Sequence, residues 1–225
     1  MRSRVVTVVL GGLLLLLLLA APSSSSPVAR VTTAPPAVLP RVTLISDSVA
    51  GAIAFDVGAT STLAQGIDLF LEPGEGRLLG GESLPGAFPL PTAVQLIGEL
   101  GRRLGPTVIM SIGYNDPFGQ YAQNVAAALA ALHAAGVTHV LWATLHVSPD
   151  HTSYLAMNAA IEAAAAQDPD VTVVDWNAYA ADHPEWFQSD GVHLTGYGPR
   201  ALATLFHASL VTLGIPAYSV PPEKS

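Results

Sequence analysis

Arg41-Val42-Thr43-Leu44-Ile45-Ser46-Asp47-Ser48 is the stretch on which the reading of this chain turns. Apolar and β-branched residues run without a break from Arg41 to Ser46, as in a strand buried on both faces, and end in an acid and a serine. The pattern predicts a strand over Arg41–Ser46, a sharp turn that exposes Ser48, and a helix over Ser48–Phe55. A serine so placed either caps the helix or works as a nucleophile, and its partners elsewhere decide between the two.

Downstream, similar runs alternate with alanine-rich helical stretches. Thr107–Ile112, Val137–Ala143 and Val171–Trp176 read as strands, with one further strand over Ile67–Leu71. Asp116 reads as the cap of a helix with Pro117 at its first position, stopped by Gly136. Val125, Leu129 and Leu132 recur on one face of it. Further helices are expected over Thr152–Gln167, ended by Asp168-Pro169, and over Gly196–Leu213. The glycine- and proline-rich segment from Asp56 to Pro91 reads as the second strand plus long loops beside the site. Strand and helix alternating at this spacing imply parallel strands joined by right-handed crossovers. The expected fold is α/β, a three-layer α/β/α sandwich on a parallel sheet, flavodoxin-like in outline.

In such sheets ligands sit beyond the carboxyl ends of the strands. Ser48 follows the first strand, Gly113-Tyr114-Asn115-Asp116 the third, and Thr144-Leu145-His146 the fourth. Ser189-Asp190-Gly191-Val192-His193 lies before the last helix. All converge on one edge. A serine hydroxyl needs a base to take its proton, and an imidazole does this best when a carboxylate fixes its tautomer. Ser48, His193 and Asp190 supply those three parts. Asp47 reads as a structural acceptor for loop N–H groups. His146 and His151, in the loop after the fourth strand, and Tyr114 are candidates for contact with substrate. His133, His139 and His207 fall inside regular elements and read as packing or surface residues. A zinc site built from Asp190, His193 and His183 would compete with the triad, and no metal is expected. Trp176, Trp186 and Phe187 read as core and loop packing.

Three of these segments resemble the blocks of the SGNH/GDSL hydrolase family. Ser46-Asp47-Ser48 stands where that family has Gly-Asp-Ser. Gly113-Tyr114-Asn115-Asp116 matches Gly-x-Asn-Asp, and Asp190-Gly191-Val192-His193 matches Asp-x-x-His. The resemblance runs from about Arg41 to Leu213. Phe187 to Gly198, with Asp175-Trp176 before it, further resembles the extracytoplasmic SGNH domains of peptidoglycan O-acetyltransferases. The resemblance implies Ser48 as nucleophile, His193 as general base then acid, and Asp190 as the group that orients the imidazole. It implies an oxyanion hole from the Ser48 N–H, the Asn115 amide and a glycine N–H, with help from the positive end of the helix at Ser48. Gly80, Gly81 and Gly86 all lie in the interval for that glycine, with Gly80 favoured. Ser46 in place of the first-block glycine is small enough for the turn to be tolerated.

The implied activity is a serine esterase acting on small acyl, chiefly acetyl, esters of carbohydrate, without a cofactor. An O-acyltransferase on cell-envelope glycan would use the same triad, and a non-catalytic envelope-binding domain is the reading from another class. No extended apolar lid is evident between Asp56 and Pro91, which disfavours a long-chain lipase.

Composition sets the surroundings. The 225 residues are 50% hydrophobic and 12% charged, with a mean hydropathy of +0.45 inflated by the N-terminus. Met1-Arg2-Ser3-Arg4, the apolar run Val5 to Ala21, and the small residues Pro22 to Pro27 follow the pattern of a secretory signal. At about 17 residues the run also reaches the lower limit for an uncleaved membrane anchor. We expect residues 1–24 to be a signal or anchor, 25–40 a Ser/Pro-rich linker, 41–215 the catalytic domain and 216–225 a tail. Either form of the leader places the domain outside the cytoplasm, secreted or held at the envelope. There is no cysteine, which excludes disulfides, lipoprotein attachment, and cysteine-based zinc or redox chemistry. Beyond Arg4 the chain carries 7 basic and 17 acidic residues, a balance that argues against nucleic acid as partner.

Overall fold

The computed structural model describes residues 38–85 and 89–217. The expected leader over 1–24, most of the linker over 25–40, Gly86, and the tail beyond Ala217 lie outside the described residues.

Five strands, β1 (Arg41–Ser46), β2 (Asp68–Glu72), β3 (Thr107–Ser111), β4 (His139–Ala143) and β5 (Val171–Val174), form one sheet in the order β2-β1-β3-β4-β5. Every pairing is parallel. The middle strands carry the continuous apolar runs because both of their faces are covered. Val42, Leu44, Ile45, Val108, Ile109, Met110, Val140, Leu141 and Trp142 are all at most 2% exposed.

Seven helices cover the sheet among the described residues: α1 (Ser48–Gly51), α2 (Val57–Leu63), α3 (Ala93–Leu100), α4 (Phe118–Ala135), α5 (Tyr154–Ala165), α6 (Trp176–Ala180) and α7 (Gly198–Thr212). α2 packs on α7, while α3 packs on α4 and α4 on α5. The fold is thus the three-layer α/β/α sandwich. None of these helices is long and apolar enough to cross a membrane.

Local chemistry explains the ends. Thr92 and Gln95 form a reciprocal capping box at the start of α3. α4 stops where Gly136 turns left-handed (φ 89°), its N–H and that of Val137 returning to His133 and Leu132.

Three expectations change. The helix after Ser48 is one α-turn followed by a 3₁₀ turn over Ala52–Phe55, so it offers little macrodipole. The Asp56–Pro91 segment contains α2, capped by Asp56, besides the second strand. Asp116 does not cap α4: Pro117 is its N-cap, without a side-chain bond. The Asp116 carboxylate instead accepts from the Leu79 N–H at 2.9 Å, far away in sequence.

The strand order reverses between β1 and β3, and a crevice opens at such a switch point above the carboxyl ends of the strands. Ser48, Gly74 and Gly113 each stand two residues past the end of their strands, β1, β2 and β3. They form one layer above that edge.

Candidate active site

Asp47 builds the turn that presents Ser48. Its side chain is fully buried and accepts from the N–H groups of Val49 (3.0 Å), Gly113 (3.1 Å) and Tyr114 (3.1 Å). One carboxylate thus ties the loop after β1 to the loop after β3. Burial pushes its pKa up to about 6 against these three donors, and burial also pushes Asp116 up to about 6. Both acids hold a proton more tightly folded than unfolded, where aspartate titrates near 3.9. Their contribution to stability is therefore full below about pH 4 and lost as pH rises through about 6. Partial burial pushes His146 the other way, favouring its neutral form. The expected result is that Asp116→Asn makes the slope of melting temperature against pH more positive between about pH 4 and 6.5, which thermal melts across that range check.

His193 arrives on the loop before α7. Gly191 turns left-handed (φ 67°), and the Gln188 N–H donates to the His193 carbonyl at 2.7 Å. Phe187 bridges to Leu194, and Trp186 and Phe187 pack with Trp176 beneath the loop. Asp190 Oδ1 accepts from the Val192 and His193 N–H groups, which turns Oδ2 to within 2.7 Å of His193 Nδ1. The bond to His193 holds the Asp190 carboxyl down at about 2. With the proton on Nδ1 and donated to Asp190, His193 Nε2 is left to accept from the Ser48 hydroxyl, 3.1 Å away. The arrangement can move a proton from a hydroxyl to an imidazole that a carboxylate steadies.

Two cavities meet at this pair. A cleft of 540 Å³ is lined on one side by Phe55, Pro73, Gly74 and Glu75 and on the other by Gln188 and Leu194. A smaller one of 190 Å³ lies against Tyr114, Asn115, His151 and Tyr154. Asn115 is exposed beside Ser48, and its Nδ2 donates one bond to the Arg77 carbonyl at 3.3 Å, leaving a second N–H free.

No protein-family model matches the chain. It is 29% identical over 140 residues to the O-acetyltransferase OatA of Staphylococcus aureus, covering 55% of this chain and 22% of that protein. The C-terminal catalytic domain of Streptococcus pneumoniae peptidoglycan O-acetyltransferase A superposes with a TM-score of 0.57 at 20% identity, over 78% of this chain and 93% of the domain. A carbohydrate esterase family 3 protein from Talaromyces cellulolyticus gives 0.58 at 16%, over 78% and 98%. The chain shares the fold of these O-acetyltransferase and esterase domains. It spans about a fifth of the length of the curated OatA relative.

The site differs from the sequence expectation in several details. Gly80 is buried and lines neither cavity at Ser48; the N–H of its neighbour Leu79 is held by the Asp116 carboxylate. A Cβ on Gly80 would stand 2.8 Å from the Asn124 amide. Gly80→Ala is accordingly expected to lower stability by about 1–3 kcal/mol, readable in a denaturant melt, with turnover per folded molecule retained. Gly74 is the loop glycine that lines the cleft with Ser48.

Ser46 ends β1 without a left-handed backbone angle, so the first-block glycine of the family is not required here. His146 does not line either cavity at Ser48: its N–H donates to the Tyr114 hydroxyl and its ring stacks on Phe187 at 4.0 Å. Tyr114 does reach the smaller cavity, as do His151 and Tyr154, whose rings stack at 5.4 Å. Tyr154 is not legible in the sequence as a site residue, being one of many residues in an alanine-rich helix. His183 pairs with Glu185 at 2.9 Å and stacks on Trp186 rather than facing Asp190. His133, Asp168 and Asp170 bring ligand atoms within 4.8 Å of one another, but at the other edge of the sheet. The 3.4 Å separation of His133 and Asp168 fits an ordinary ion pair.

Proposed function

We propose that this SGNH domain, over about residues 41–215, is a serine esterase acting on small acyl esters, chiefly acetyl groups on carbohydrate. The observation that carries the reading is the chain Ser48 Oγ, His193 Nε2, His193 Nδ1, Asp190 Oδ2, open to a 540 Å³ cleft. Ser48 Oγ attacks the acyl carbonyl while His193 Nε2 takes its proton. The oxyanion that forms is met by the Ser48 N–H, the free N–H of Asn115 and the Gly74 N–H. For Gly74 the support is its place in the cleft and the lack of an acceptor for its N–H among the described residues. Each such donor contributes roughly 3 kcal/mol to the transition state. Collapse expels the alkoxide, which takes the proton from His193, and leaves an acyl-enzyme. A water molecule or a sugar hydroxyl, deprotonated by His193, then releases the acyl group. No step calls for a cofactor.

Transfer to a cell-envelope glycan is the second reading, favoured by the relatives named O-acetyltransferase. The larger cleft offers an acceptor room, and exposed Phe55 with Glu75 and Gln188 offers a ring face and polar groups for a sugar. The leader pattern and those relatives support a place outside the cytoplasm, secreted or anchored. Incubating the protein with p-nitrophenyl acetate, with and without a chito-oligosaccharide, tests both readings. Release of nitrophenol is expected, and acetylated oligosaccharide would mark transfer. A folded protein that releases neither would sink the esterase reading and leave a binding domain in its place.

A further inference from the structure

Arg77 is 4% exposed, yet the guanidinium Nε and Nη1 have no acceptor among the described residues. Only Nη2 makes a long bond, 3.3 Å to the Pro73 carbonyl. Glu72, Asp47 and Glu99 act on it through space, and burial pulls its pKa below the usual arginine range. A buried charge so poorly paired is unfavourable for folding, and an apolar side chain of similar volume would be neutral or better. Its surroundings point to a reason for its presence. The guanidinium lies directly over Gly74, where an added Cβ would stand 2.8 Å from Cζ. A side chain at Gly74 would require the Arg77 guanidinium to move, while the Gly74 φ is unexceptional. The Arg77 N–H closes the turn onto the Gly74 carbonyl at 3.0 Å, and the Arg77 carbonyl accepts from Asn115. One residue therefore touches both loop groups assigned above to the oxyanion.

We propose that Arg77 is a positioning residue for the oxyanion donors: its backbone fixes Gly74 and Asn115 relative to each other, and its buried guanidinium places positive charge behind the Gly74 peptide. This rests on the esterase reading of the site. The charge acts on the oxyanion and not on the neutral ester, so it belongs to the transition state more than to substrate binding.

Arg77→Met and Arg77→Lys, compared with the parent on p-nitrophenyl acetate, test it. Sites are counted by fluorophosphonate labelling taken to completion, and melting temperatures are recorded. Arg77→Met is expected to melt at or above the parent temperature. Its kcat per labelled site should fall roughly tenfold or more with KM held within about threefold, and Arg77→Lys should recover part of the loss. A methionine variant that melts lower but turns over normally per labelled site would show a structural role only and overturn the proposal. A lysine variant no faster than methionine would overturn it as well, since the charge would then do nothing. A parent that neither turns over nor labels is a different failure, that of the esterase reading itself.

Discussion

Ser48→Ala is expected to lower kcat on p-nitrophenyl acetate by about 10⁴-fold or more. In the proposed mechanism this hydroxyl bonds to the acyl carbon, and no other hydroxyl is hydrogen-bonded to His193 Nε2 among the described residues. The loss should appear in kcat, because alanine leaves both cavities open to the ester. The fold should be unaffected: the Asp47 carboxylate, rather than the Ser48 side chain, caps the helical turn and joins the loops. His193→Ala should match it, and the double variant should be little worse than either, since the two groups act as one unit. Kinetics on the two single variants and the double variant check this.

Asn115→Ala is expected to cost about 10²–10³ in kcat with little change in KM. In the proposed mechanism its amide faces charge that exists only after the serine has attacked, so the ground state does not register its loss. The bond from Asn115 to the Arg77 carbonyl orients the amide, and alanine removes both functions. Asp at this position would be worse than alanine, since a carboxylate repels the oxyanion it replaces a donor for. Steady-state kinetics with both substitutions check the order. A fall in kcat/KM carried wholly by KM would instead make Asn115 a substrate contact.

Much of this geometry is legible in the sequence because parallel strands buried on both faces leave an unmistakable apolar run. β1, β3, β4 and β5 all carry one, and the serine, asparagine and histidine segments hang from their carboxyl ends. β2 is harder: Asp68-Leu69-Phe70-Leu71-Glu72 is an edge strand with an exposed end, and its run is short. α2 is invisible since Val57–Leu63 contains glycine and two threonines, poor helix formers stabilised here by the Asp56 cap and packing on α7. The capping box Thr92-x-x-Gln95 is a local signal for α3, written in two residues alone.

The site is less legible wherever a side chain acts across the fold. Asp116 before a proline is the local signature of a helix cap, but its partner is Leu79, on a loop that only the tertiary structure brings near. Gly80, next to that contact, lines neither cavity at Ser48. Gly74 becomes the candidate only once the register Ile45↔Glu72 is known, which sets the loops after β1 and β2 level. Arg77 gives no signal, because a lone arginine in a glycine-rich loop reads as solvated until its burial is seen. His146, which follows its strand as a site residue should, is turned aside by its bond to Tyr114.

On this reading Ser48 is activated by His193 and Asp190 rather than serving as a capping residue. Incubation of the purified protein with a fluorophosphonate, followed by mass spectrometry of its peptides, tests that most directly. One covalent adduct per molecule is expected, on Ser48, lost in His193→Ala and independent of which ester is the natural substrate. A folded protein that stays unlabelled, or one labelled at another serine, would contradict it.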